Sequence, residues 1–108
     1  MRVQVSLELG GKNPAVVFED ADLAEAVPTS VQSAFSNQGE ICLCNSRIFV
    51  HESIYAEFVE RFVQEASKLV VGDPKDPKTT VGALVSADHM AKVLSYIDLA
   101  REEGMSDD

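Results

Sequence analysis

Apolar and polar residues alternate along the opening stretch, where Val3, Val5, Leu7 and Leu9 are set against Arg2, Gln4, Ser6 and Glu8. A period of two marks a strand with one covered face, so a first strand is expected over 3–9, with Glu8 leaving it on the face opposite the apolar residues. Gly10 and Gly11 follow, and paired glycines permit a tight turn or a close approach of backbone to a ligand. Ala15-Val16-Val17-Phe18, bounded by Pro14 and by Glu19-Asp20, predicts a second, more buried strand.

The period then lengthens. Asp22 with Glu25 three residues later has the form of a capping box. The helix it opens places Leu23, Val27, Val31, Ala34 and Phe35 on one face, and Pro28 is expected to kink or loosen its first turn. That helix runs out at Asn37-Gln38-Gly39. Arg47-Ile48-Phe49-Val50 predicts a third strand, and Ser53 the cap of an amphipathic helix carrying Ile54, Phe58, Phe62, Ala66 and Leu69. Val71 to Pro77 is a loop by its density of Gly, Asp and Pro. A last helix begins near Ser86 and is expected to bury Met90, Val93, Leu94 and Ile97.

Strands alternating with helices imply an α/β fold with largely parallel pairing. Three short strands and three helices do not make a closed sheet covered on both faces. A piece of a larger α/β domain is expected, or a chain whose edges need a partner.

With 108 residues the chain is one domain at most. The net charge of −9 argues against nucleic acid and anionic membrane as partners, because both need clustered Lys and Arg. No apolar run approaches the ~20 residues of a membrane span, and Met1-Arg2 leads into alternation rather than into a signal peptide. A cytoplasmic location follows as the expectation, with reduced cysteines. Cys42 and Cys44 lie too close in sequence to staple a loop usefully, so both read as thiols. No metal-ligand spacing surrounds His51 or His89, and no metal is expected.

Two segments carry the chemistry. One is the cysteine segment from Phe35 to Arg47, centred on Gly39-Glu40-Ile41-Cys42; the other is Leu7-Glu8-Leu9-Gly10-Gly11-Lys12-Asn13-Pro14. A cysteine in a sharply turning loop can attack a carbonyl, and its own backbone N–H can help stabilise the resulting oxyanion. A carboxylate beside a glycine pair can serve as general base. Taken singly, Cys42 also reads as a buried inert thiol and Glu8 as a turn or surface residue. Cys44 keeps the inert reading.

Together, and at this separation, the two segments resemble the glutamate and cysteine signatures of the NAD(P)-dependent aldehyde dehydrogenase superfamily. The likeness runs from about Ser6 to Gly104 and includes the strand at Arg47 to Val50, Tyr55-Ala56-Glu57-Phe58 and Val71-Gly72-Asp73-Pro74. Asn37 to Cys44, with Glu40 and with Leu43-Cys44 after the candidate nucleophile, is similar to the branch that oxidises semialdehydes. The resemblance implies that residues 1–108 are part of a three-layer, parallel-sheet catalytic domain, with glutamate motif 7–14, cysteine motif 35–47 and the cofactor domain largely absent.

It also implies a two-step oxidation of a small-molecule aldehyde. Cys42 would form a thiohemiacetal, hydride would pass to NAD to leave a thioester, and Glu8 would activate the water that releases the acid. The second oxyanion donor, an asparagine in the family, is expected upstream of this chain. Cofactor contacts implied here are Leu9 and Gly10, with His89 and Lys92 beside a ribose; a solvent-facing helix pair is the other reading of the last two. Full-length family members are homo-oligomers. Two other readings stay open: a truncated relative without dehydrogenase activity, persisting as an interaction fragment or an incomplete gene product, and a weak esterase that needs no cofactor.

Overall fold

A computed structural model of the chain describes residues 3–105. Its centre is a β-α-β unit: strand β1 (Asn13–Val17), helix α1 (Leu23–Phe35) and strand β2 (Asn45–Val50). The strands pair in parallel, with Ala15 beside Ile48, Val16 beside Phe49 and Val17 beside Val50. Parallel neighbours need a crossover, and α1 is that crossover. Asp22 caps it through Oδ1, which accepts from the Ala24 N–H at 2.9 Å. Helix α1 continues through Pro28 to Phe35.

Helix α2 (Tyr55–Ala66) lies against α1. Ser53 does not cap it. A short 3-10 turn, Glu52–Ile54, comes first, and the His51 ring accepts from the Ser53 N–H. Val17, Val27 and Phe58 form the buried core, joined by Leu23, Ile48, Val50, Ile54 and Phe62. The spacing of apolar positions in α1 and α2 therefore reports the face each helix buries. Phe62 stacks on Phe58 at 5.8 Å and meets Phe35 at 6.2 Å between ring centroids.

Three expectations are corrected by this arrangement. Residues 3–9 form no strand: Val3, Val5, Leu7 and Leu9 are 68–84% exposed, and no described element pairs with them. Alternation encodes a face to be covered, and a strand also needs a hydrogen-bonding neighbour. The second strand is covered on one face only. Val17 is buried, whereas Val16, Phe18 and Phe49 are exposed on the other side. Finally, helix α3 (Ala87–Glu102) starts where expected, capped by Ser86, yet Met90, Val93, Leu94 and Ile97 are exposed. No described element lies over its apolar stripe closely enough to bury it.

The radius of gyration of 16.6 Å exceeds the roughly 13 Å of a compact chain this long, in keeping with an uncovered arm at one end and an uncovered helix at the other. The observed class is α/β, with helices α1 and α2 on one face of a two-stranded parallel sheet. Among the described residues no helix is long and apolar enough to cross a membrane.

Candidate active site

Parallel pairing decides where the two motifs meet. The glutamate motif leads into β1 and the cysteine motif into β2, so both arrive at the same, N-terminal edge of the sheet. Most open α/β sheets bind ligands at the opposite, carboxyl ends of their strands.

Helix α1 ends at Phe35, and the chain then reverses through Asn37, Gln38 and Gly39, with φ of 47°, 60° and 78°. Three consecutive left-handed residues make a sharp corner. Glycine is required at the third, because a Cβ there would stand 2.9 Å from the Ala34 carbonyl oxygen. Asn tolerates this region, and Gln38 carries a cost of order 1 kcal/mol. The Glu40 N–H closes the corner on the Asn37 carbonyl at 3.1 Å.

A second turn follows at once. The Cys44 N–H donates to the Ile41 carbonyl at 2.9 Å, which places Cys42 and Leu43 at the two central positions. Cys42 is partly buried. Cys44 is buried, and its Sγ faces the Ser36 carbonyl at 3.4 Å. The turn thus separates two thiols that are nearly adjacent in sequence, with Cys42 the more accessible.

The glutamate motif touches this turn through its backbone and through Asn13. Gly11 packs so closely that a Cβ would lie 2.5 Å from the Cys42 carbonyl oxygen. The Asn13 amide donates to that same oxygen at 2.6 Å and to the Cys44 carbonyl at 3.2 Å. Arg47 ties the motifs again, donating to the Lys12 carbonyl at 2.9 Å. Glu8 lies a few residues before this contact, exposed, and its carboxylate makes no hydrogen bond among the described residues. The structure brings the motifs together without bringing the two side chains into contact.

The four expected cofactor residues do not converge on a cradle. Leu9 is 84% exposed, and the space beside Gly10 is open. The His89 Nε2 is 2.8 Å from the Glu40 carboxylate, while Lys92 is exposed on α3. An apolar groove of about 720 Å³ does lie between α1, the end of α2 and the start of α3, but Cys42 and Glu8 are not among its walls. The described residues therefore do not fit a dinucleotide. They contain no cluster of metal-ligating side chains either.

Asn13 and Gly11 were not singled out by sequence as site residues. The available signal was a polar side chain two residues after a glycine pair and just ahead of the Ala15-Val16-Val17-Phe18 run.

The sequence profile described as the aldehyde dehydrogenase family matches residues 2–107. The chain belongs to the aldehyde dehydrogenase family. Among curated members of this family, 2-aminomuconic semialdehyde dehydrogenase of Bos taurus is 63% identical over 101 residues, covering 94% of this chain and 21% of that protein. The 5-carboxymethyl-2-hydroxymuconate semialdehyde dehydrogenase of Escherichia coli is 52% identical over 99 residues, or 92% of the chain and 21% of that enzyme. Betaine aldehyde dehydrogenase of Staphylococcus aureus, solved in complex with NAD+, superposes with a TM-score of 0.85 at 37% identity, covering 90% of this chain and 19% of that one. The chain spans about a fifth of the length of the aldehyde dehydrogenases it matches.

Proposed function

We propose that Cys42 is the nucleophile, and Glu8 the water-activating base, of an aldehyde dehydrogenase whose catalytic domain includes residues 1–108. The supporting observation is the packing of the Cys42 carbonyl against Gly11 and Asn13, which seats the nucleophile's turn on the glutamate motif.

In the addition step the Cys42 thiol gives up its proton to water, its sulfur forms a bond to the aldehyde carbon, and the carbonyl π pair moves to oxygen. The Cys42 N–H makes no hydrogen bond among the described residues, which leaves it available to that oxygen. In the hydrolytic step Glu8 takes a proton from water, the hydroxide adds to the thioester carbon, and the C–S bond breaks to return the thiolate. Glu8 is exposed and its carboxylate makes no hydrogen bond among the described residues, which leaves it free to approach Cys42 for this step. The intervening oxidation is the chemistry that NAD supplies when bound, and its cradle requires residues beyond those described. By likeness to the two semialdehyde dehydrogenases, the substrate of the whole enzyme is a semialdehyde.

Ester hydrolysis isolates the acyl half of this chemistry. With p-nitrophenyl acetate, the chain is expected to show a stoichiometric burst that Cys42→Ala removes and Cys44→Ala retains. Glu8→Gln should keep the burst and slow turnover by about 10²-fold. A burst that survives Cys42→Ala would sink the assignment.

A second reading is favoured by the exposure of Glu8 and Leu9 and by the engagement of His89 with Glu40: the 108-residue chain alone lacks dehydrogenase activity. The two readings agree on family and chemistry and differ on whether this chain completes the reaction unaided.

A further inference from the structure

We infer that Asn13 is a positioning residue that decides which of the two thiols is presented. The inference rests on reading Cys42 as the nucleophile, and it starts from the two bonds of the Asn13 amide. Both partners are backbone carbonyls, of Cys42 and of Cys44, at 2.6 and 3.2 Å. Carbonyl oxygens only accept, so the NH2 end of the side chain must face them, and the orientation of the amide follows from chemistry.

The two carbonyls bracket Leu43 and Cys44. Fixing both, together with the bond from the Cys44 N–H to the Ile41 carbonyl, determines the direction of the turn's central peptide, Cys42–Leu43, and of the peptide that leaves the turn after Cys44. The side chains at 42 and 44 are thereby held in different surroundings. Cys42 stays partly accessible, while Cys44 is 8% exposed with its sulfur against the Ser36 carbonyl. Without the clamp, the turn keeps a single internal hydrogen bond and can roll, exposing Cys44 at the expense of Cys42.

Gly11 is part of the same device. A side chain at 11 would meet the Cys42 carbonyl oxygen at 2.5 Å and the Asn13 amide nitrogen at 3.0 Å, so its absence makes room for the clamp. The contacts of both residues on this side are with the cysteine turn. Their effect runs through the backbone of the nucleophile.

Alkylation by iodoacetamide, followed by mass spectrometry of the peptides carrying each cysteine, reads this directly in the 108-residue chain. Cys42 is expected to react at least about tenfold faster than Cys44. Asn13→Asp keeps the shape but replaces the donors by acceptors, and Asn13→Ala removes them. Both should bring the two rates within about threefold of each other by raising that of Cys44. Asn13→Gln retains the amide and should recover part of the difference. An unchanged ratio in Asn13→Asp overturns the inference, as does equal reactivity in the unsubstituted chain.

Should the variants unfold by circular dichroism, the unsubstituted chain still decides. The side-chain amide protons of Asn13 should exchange with solvent at least about tenfold more slowly than those of exposed Asn37, and equal exchange overturns the clamp. The ester burst separates the two levels. A burst that survives Cys42→Ala removes the nucleophile, whereas an intact Cys42-dependent burst with an unchanged thiol ratio removes only the role of Asn13.

Discussion

The Nε2 atom of His89, on the first turn of α3, lies 2.8 Å from the Oε1 atom of Glu40, in the corner that precedes Cys42. This is the described side-chain link between α3 and the cysteine segment, and each partner is more than one-third exposed. Exposed pairs of this kind contribute at most about 1 kcal/mol. His89→Ala is therefore expected to leave the urea midpoint nearly unchanged while hydrogen exchange over residues 87–94 accelerates several-fold. A large drop in global stability would show that α3 is held by more than this contact.

The two glycines of the glutamate motif should respond differently to alanine. At Gly11 a Cβ meets the Cys42 carbonyl oxygen at 2.5 Å, a backbone atom that cannot step aside cheaply. Gly11→Ala is expected to cost about 1–3 kcal/mol, the range of overpacking. At Gly10 the φ of 67° is left-handed, but the site is open and the segment before it is unpaired. The strain there relaxes locally, and Gly10→Ala should change the denaturation midpoint little. Chemical denaturation of the two variants side by side checks the contrast.

Phe58 is the large aromatic of the core, only 3% exposed and stacked on Phe62. Phe58→Ala is expected to lose about 3–5 kcal/mol through lost burial and a residual cavity. Domains are stable by about 5–15 kcal/mol, so the loss should leave much of the population unfolded near room temperature. Far-UV circular dichroism against temperature reads this directly.

The 108-residue chain, supplied with NAD and an aldehyde, is expected to yield no NADH, because the described residues provide no cradle for a dinucleotide. Absorbance at the reduced-nicotinamide wavelength checks it. A rate that Cys42→Ala abolishes would show that the chain, alone or self-associated, completes the site.

Elements whose covering partner lies within the described residues were legible in sequence. The faces of α1 and α2 were readable because Val27 and Phe58 bury against each other and against Val17. Over residues 3–9, and along Met90, Val93, Leu94 and Ile97, the pattern encodes a face without saying what covers it, and there the expectation of burial failed. At the site, Cys42 and Glu8 stood out through their motifs, whereas Asn13 did not. Its partners lie 29 and 31 residues away, and it meets them only because Asn13 and Asn45 are neighbours in the parallel ladder. A contact of that kind is written in register, which local patterning does not carry.

That ladder has a consequence for which changes in the chain the chemistry can tolerate. Residues added within the crossover helix or its connections lengthen the path between Gly11 and Cys42 without altering their separation in space. A slip of a single residue between β1 and β2 would carry the cysteine turn about 3.3 Å past Asn13 and turn the core side chains of one strand to the opposite face. The sheet acts here as a ruler, and Val17, buried, with Val50, partly buried, at its far end hold the glutamate and cysteine motifs at a fixed separation.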